Sequence, residues 1–407
     1  MIVWLAFKNI FSRPLTASLN IIIFATGIGI ISMLSLVQRQ FEDKFEKSIE
    51  GIDMVMGASG SPLQLILSAV YHIDAPTGNI PLDEAEKWMQ HPYIASAVPM
   101  AYGDSYMGFP MLGSDSSYIS HFGAKLSAGK LNNQNYEVVV GSDVAKKLRI
   151  NLGDKFHSTH GQEEGGEEHE DVKWVVTGVL APTGKAIDRI IISNIESVWD
   201  IHGENGCTHE HEDGEECHHH AHESSKEITA VLLKYRNPMA AMQLPRLIRE
   251  QSKNLQLAQP AIEVNRLFSL LGIGIEAIRY LAFFIMGLSA ISIFISIYNT
   301  LKERMFELAM MRTLGASRWK VFTLLLSEGV IYSVIGYFSG LVLGILGFKF
   351  IASLAENEYQ MSFNQLTLDF QQQAILLMVS IFIGILAAIL PAIKSYFIQI
   401  SSTLSHE

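Results

Sequence analysis

Residues 15–37 read LTASLNIIIFATGIGIISMLSLV, a run of 23 residues without a charged side chain. As a helix rising 1.5 Å per residue it extends about 34 Å, enough to cross a hydrocarbon core of about 30 Å with some tilt. Pro14 stands at its start, where a missing N–H costs a helix nothing. The run is too long for the apolar core of a secretory leader and no small-residue cleavage pattern follows, so an uncleaved span is expected. On its N-terminal side, residues 1–14 place Trp4, Phe7, Ile10 and Phe11 near one helical face, with Lys8 and Arg13 elsewhere. That pattern predicts an interfacial amphipathic helix lying along the membrane surface.

Three further apolar runs lie in the C-terminal third, within residues 276–300, 321–350 and 374–393, the last closing near Pro391. Arg279 precedes the first of them, and the second contains Glu328 and Lys349. Mean hydropathy is +0.23 and only 17% of residues are charged, against about a quarter in soluble domains. The expected fold is an α-helical membrane protein with four transmembrane helices and a large α+β extracytoplasmic domain, residues 38–275, inserted between the first and second spans. Residues 301–320 form a short loop, residues 351–373 a second loop, and residues 394–407 a tail.

Charge orients this chain. The formal net charge of −11 is uneven: residues 39–275 hold 33 acidic and 20 basic side chains, and the remainder 8 and 10. Lys8, Arg13, Lys394 and the loop carrying Lys302, Arg304, Arg312, Arg318 and Lys320 flank the spans on one side, whereas Glu356, Glu358 and Asp369 lie on the other. The positive-inside rule then puts both termini and residues 301–320 in the cytoplasm. An acidic insertion offers no basic face for nucleic acid.

The insertion reads as folded for most of its length. Residues 137–152 show a β-branched run, a Gly-Ser-Asp turn and a helical pattern; residues 173–180, 190–193 and 228–235 alternate like strands; residues 245–256 look helical. Residues 157–171 and 202–227 are polar, acidic and rich in histidine, and are expected to be mobile loops.

Residues 299–329, NTLKERMFELAMMRTLGASRWKVFTLLLSEG, hold the most specific pattern. Glu303 and Glu307 lie four apart on a helix, as do Arg304 and Leu308, so a charged face can meet a protein while Met305, Leu308 and Met311 turn to the bilayer. Gly315 ends the helix and Ser317 can cap the next. The segment resembles the signature of FtsX-like and MacB-like ABC permeases through Glu303, Arg304, Glu307, Arg312, Leu314, Gly315, Ala316 and Ser317, with Leu308-Ala309 where the family has Ile-Gly. Residues 138–155 and 178–188 are similar to the MacB-type periplasmic core domain, and residues 387–404 to the family's C-terminal end, where a Pro-Ala pair closes the last span. The resemblance implies a multi-pass subunit of a bacterial inner membrane that forms a homodimer or a heterodimer with a related permease. It further implies a cytoplasmic ABC ATPase partner that binds ATP and magnesium and docks on Glu303, Arg304, Glu307, Arg312, Gly315, Ala316 and Ser317.

No catalytic residue is expected. A phosphate-binding loop needs GxxxxGK[ST], and the nearest stretch, Gly178 to Gly184-Lys185-Ala186, has one residue too many and lacks the hydroxyl. Candidate metal ligands are Cys207, His209, His211, Cys217, His218, His219, His220 and His222, since thiolate and imidazole suit zinc. No spacing fixes a geometry. Three readings stand open: adventitious metal affinity, a Cys207–Cys217 disulfide hairpin, and a loop that senses or delivers zinc. For the whole chain the expectation is ATP-driven movement of the extracytoplasmic domain on a lipoprotein, peptide or metal-binding partner. Its rivals are a scaffold that activates an envelope hydrolase and a metal-sensing receptor.

Overall fold

The computed structural model describes residues 2–160, 172–202, 226–358 and 368–397. Among these the helices are α1 (Ile2–Phe11), α2 (Pro14–Ile49), α3 (Pro62–Ala69), α4 (Leu82–Met89), α5 (Ser116–His121), α6 (Ser142–Leu148), α7 (Ile195–His202), α8 (Ala240–Gln251), α9 (Pro260–Glu303), α10 (Met305–Thr313), α11 (Arg318–Glu358) and α12 (Phe370–Tyr396). The strands are β1 (Met54–Ala58), β2 (Ile80–Pro81), β3 (Ile94–Tyr106), β4 (Phe109–Ser114), β5 (Leu126–Gly129), β6 (Glu137–Val140), β7 (Lys155–Phe156), β8 (Thr159–His160), β9 (Trp174–Leu180), β10 (Ile191–Ser193), β11 (Glu227–Ile228), β12 (Ala230–Tyr235) and β13 (Leu255–Ala258). Two compact units result, one from residues 1–40 with 271–407, the other from residues 41–270.

In the first unit α2, α9, α11 and α12 are long and apolar enough to span a membrane. Each outruns its apolar stretch. Residues 38–49 continue α2 because they are good helix formers without glycine or proline, and propagation adds one hydrogen bond per residue. Helix α12 does not end at Pro391 but runs through it to Tyr396. Its ring would crowd the carbonyl four residues back, at Ala387, but small neighbours and packed helices accommodate such a proline in a bundle. Ala387, Ala388 and Ala392 are all buried there.

Glycine lets α11 approach two helices closely. Gly336, Gly340 and Gly344 stand four apart on one face, toward α2. A Cβ at Gly340 would lie 2.6 Å from Cβ of Ile28 and 2.7 Å from the Ala25 carbonyl oxygen, and one at Gly344 would lie 2.9 Å from the Gly29 oxygen. Toward α12, Gly329 and Ser333 meet Gly384 and Ala388. These are the small-residue stripes that allow helix association where lipid removes the hydrophobic drive. Helix α1 packs on α11. Ile10 departs from the expected aromatic face: it is buried with Ala6, while Trp4, Phe7 and Phe11 remain exposed.

The second unit is a mixed α+β domain built on an eleven-stranded sheet. Its main path runs β13-β1-β12-β3-β4-β10-β6-β9-β5, with β7 on β9 and β8 on β3. Most pairs are antiparallel, but β10 with β4 and β6 with β9 are parallel. Along β9 the residues alternate, with Trp174, Val176 and Leu180 buried, as one covered sheet face requires. One core gathers Met54, Trp88, Val231 and Leu244, another Phe109, Val138, Trp174 and Ile191. The helix expected over residues 245–256 instead ends at Gln251. Residues 255–258 become an edge strand, because pairing Gln256 with Gly57 on β1 outweighs local helical preference.

A buried histidine sits in this unit. His72 has φ +54° and is 6% exposed. The Tyr102 hydroxyl donates to the Ser68 carbonyl at 2.7 Å and so receives a proton from His72 Nδ1. His72 Nε2 then accepts from the Tyr118 hydroxyl at 2.8 Å. Both ring nitrogens are satisfied by the neutral form. Burial, with Arg189 adding to it, lowers the ring to about 3.

Candidate functional site

Helix α10 and its flanks form the most chemically distinctive surface of the helical unit. Arg304 breaks α9 from α10 with φ −100° and ψ 13°, and its Nε pairs with Glu307 Oε2 at 3.0 Å. Glu303 forms an ion pair with Arg13. The far end of α10 closes with two reciprocal bonds: Ala316 N–H donates to the Met311 carbonyl at 3.0 Å, and Gly315 N–H to the Arg312 carbonyl at 3.1 Å. This cap requires a left-handed residue after the helix, and Gly315 supplies it with φ +98°. Ser317 Oγ then accepts from Lys320 N–H at 3.4 Å, opening α11.

Burial seats the helix. Leu308 is 6% exposed and Ala309 fully buried in the helical core, with Met311 packed against it. Leu308 therefore points into the bundle, not to the bilayer as its spacing suggested, because α10 needs an apolar foot to lie against its neighbours. Glu303 and Glu307 are exposed, and Arg304 and Arg312 half-buried. Phe306, Met310, Leu314 and Trp319 are exposed beside them, Leu314 by 80%. Lys394 Nζ donates to the Tyr298 hydroxyl at 2.7 Å and Lys302 lies 4.9 Å from the same ring, while Arg318 stacks on Tyr396 at 5.7 Å. The surface mixes cations, two carboxylates and apolar side chains, a composition suited to a protein partner.

Two residues outside the sequence-derived set join this site. Asn9 Nδ2 donates to Glu328 Oε1 at 3.0 Å, and both line a cavity of about 60 Å³ with Arg304 and Glu307. A carboxylate inside an apolar run was the available signal for Glu328; nothing local marked Asn9. Among the described residues no cluster of three or more His, Cys, Asp or Glu side chains is placed to hold a metal. Cys207, His209, His211, Cys217, His218, His219, His220 and His222 lie outside the described residues.

Residues 15–226 match the MacB-like periplasmic core domain, and residues 279–400 match the FtsX-like permease C-terminal domain. The first match covers 212 of the 407 residues. Among solved structures, the chain is similar to the periplasmic region of MacB from Actinobacillus actinomycetemcomitans, at 15% identity and a TM-score of 0.35, over 55% of this chain and 97% of that one. It is also similar to the extracellular domain of the noncanonic ABC-type transporter YknZ from Gram-positive bacteria, at 11% identity and a TM-score of 0.31, over 51% and 99%. No curated protein matches the chain.

Proposed function

The chain belongs to the FtsX-like and MacB-like family of ABC transporter permeases, and from that premise we propose that it is the non-catalytic membrane subunit of a mechanotransmission machine. A separate cytoplasmic ATPase, holding ATP and magnesium, docks on Glu303, Arg304, Glu307, Arg312, Gly315, Ala316 and Ser317. Two copies of the chain, or one copy and a related permease, each take one ATPase. Both termini lie in the cytoplasm and residues 38–275 outside it, as the charge asymmetry of the loops supports. Closure of the ATPase pair shifts α10, and the movement passes along the spans to the extracytoplasmic domain, which acts on a lipoprotein, peptide or metal-binding partner of the envelope. The histidine-rich loop at 202–227 links that work to zinc.

One observation carries this reading. A nine-residue helix is anchored by Leu308 and Ala309, closed by a Gly315 cap, and carries Glu307 and Arg312, with Glu303 and Arg304 at the break before it, within the family's permease segment. A rigid, charged handle of this kind receives displacement without unfolding. The test is Arg312→Glu: charge reversal within a close interfacial pair costs several kcal/mol, whereas a rim charge costs little. The variant is expected to lose the ATPase on co-purification while the extracytoplasmic domain stays folded. Wild-type retention of the ATPase with unchanged ATP turnover refutes the assignment.

A further inference from the structure

We infer that Glu328 is a positioning residue that ties α1 to α11 beside Arg304, so that displacement of α10 is transmitted to the N-terminal helix. The inference rests on the proposed ATPase coupling and names the element on which that coupling first acts.

Glu328 lies ten residues into α11, about 15 Å from Arg318 along the axis. Its residue exposure is 3%. A carboxylate in such a place persists only with a partner, and ionisable groups inside helical membrane bundles mark function more often than packing. The partner is Asn9, 319 positions away in sequence, whose Nδ2 donates at 3.0 Å. Arg304, at the break between α9 and α10, walls the same cavity, and its guanidinium is held by Glu307. Three elements thus converge on one carboxylate: α1 through Asn9, the α9–α10 break through Arg304, and α11 itself. Of the remaining lining, Leu5, Leu301, Leu308, Met311, Leu324 and Leu325 are apolar and Thr300 is polar. Rotation of α10 moves one wall of the cavity, and the tie carries that movement to α1, whose Trp4, Phe7 and Phe11 are exposed.

The test uses the full chain, alone and with its ATPase, in lipid nanodiscs, reading amide hydrogen exchange of residues 2–11. In the permease alone, Asn9→Leu and Glu328→Leu are expected to speed exchange of α1 about tenfold, the effect of one buried hydrogen bond. Glu328→Gln retains an acceptor for Asn9 and is expected to leave it unchanged. In the complex, wild type and Glu328→Gln should show a difference in α1 exchange between nucleotide-free and vanadate-trapped states, and both leucine variants should lose it. Asn9→Leu leaves the interior of α11 untouched, so it decides the matter if Glu328→Leu fails to assemble. Unchanged α1 exchange in Asn9→Leu, or a Glu328→Gln variant as impaired as Glu328→Leu, overturns the inference. A wild-type chain that does not retain the ATPase overturns the proposed function instead, while the tie is judged by the permease alone.

Discussion

Replacing Gly340 with alanine should destabilise the helical unit, although alanine is the better helix former. In a helix interior, Gly→Ala contributes up to about 1 kcal/mol of stabilisation. At Gly340 the new methyl would stand 2.6 Å from Cβ of Ile28 and 2.7 Å from the Ala25 carbonyl oxygen. Neither atom is the free end of a flexible side chain, so α2 and α11 must separate. Overpacking of this kind costs about 1–3 kcal/mol and forfeits neighbouring contacts. With the full helix-propensity gain subtracted, the net expectation is a loss of up to about 2 kcal/mol, and a deficit of about 1–3 kcal/mol relative to a Gly→Ala change with open space around it. Gly287 on α9 is the matched control, since a Cβ there meets nothing within 4 Å; Gly287→Ala should be neutral or stabilising. Equilibrium unfolding of both variants in mild detergent measures the contrast. If Gly340→Ala is as stable as Gly287→Ala, the close approach of α2 and α11 is refuted.

The buried His72 gives the extracytoplasmic domain a pH dependence of known sign. Its folded value, about 3, lies below the usual 6.5 or so of an unfolded chain. The unfolded state thus binds the extra proton, so stability is full above about pH 6.5 and falls as pH drops toward 3, by about 1.4 kcal/mol per pH unit. Between about pH 7 and pH 5, wild type should lose about 2 kcal/mol more than His72→Asn, whose side chain also tolerates positive φ. Equal losses in thermal unfolding of the two proteins would dismiss the role of His72. For the histidine-rich loop, calorimetric titration of the purified chain should show zinc binding near pH 7.5 that weakens strongly near pH 5.5, because imidazole must be neutral to ligate. Deleting residues 207–222 should remove most of that binding and leave the thermal transition in place; equal zinc uptake by both forms would make the run a bystander.

Much of the candidate site is readable from sequence because its chemistry is local. Gly315 follows Arg312 and Thr313 at the spacing a left-handed helix cap needs, and Ser317 precedes the next apolar run, so the helix-turn-helix geometry is written within fifteen residues. The facing of α10 is not. Met305, Leu308 and Met311 share one stripe whether that stripe meets lipid or protein, and only the neighbouring helices turn Leu308 inward. Arg13 with Glu303 and Asn9 with Glu328 are pairs separated by some 300 positions, and no periodicity announces such partners.

The same division holds for the fold. The sequence by itself determined four helices long and apolar enough to span a membrane and the large insertion after the first. Long uncharged runs have one solution in lipid, where every backbone group must bond within its own helix. The tertiary structure alone decided how far each helix extends, that α12 passes through Pro391, and that residues 255–258 form an edge strand. It alone decided that one helix, α11, turns three glycines toward α2 and Gly329 with Ser333 toward α12. Those outcomes depend on which surfaces meet: a strand is completed by the backbone it pairs with, and a glycine gains its value from the atom on the other side.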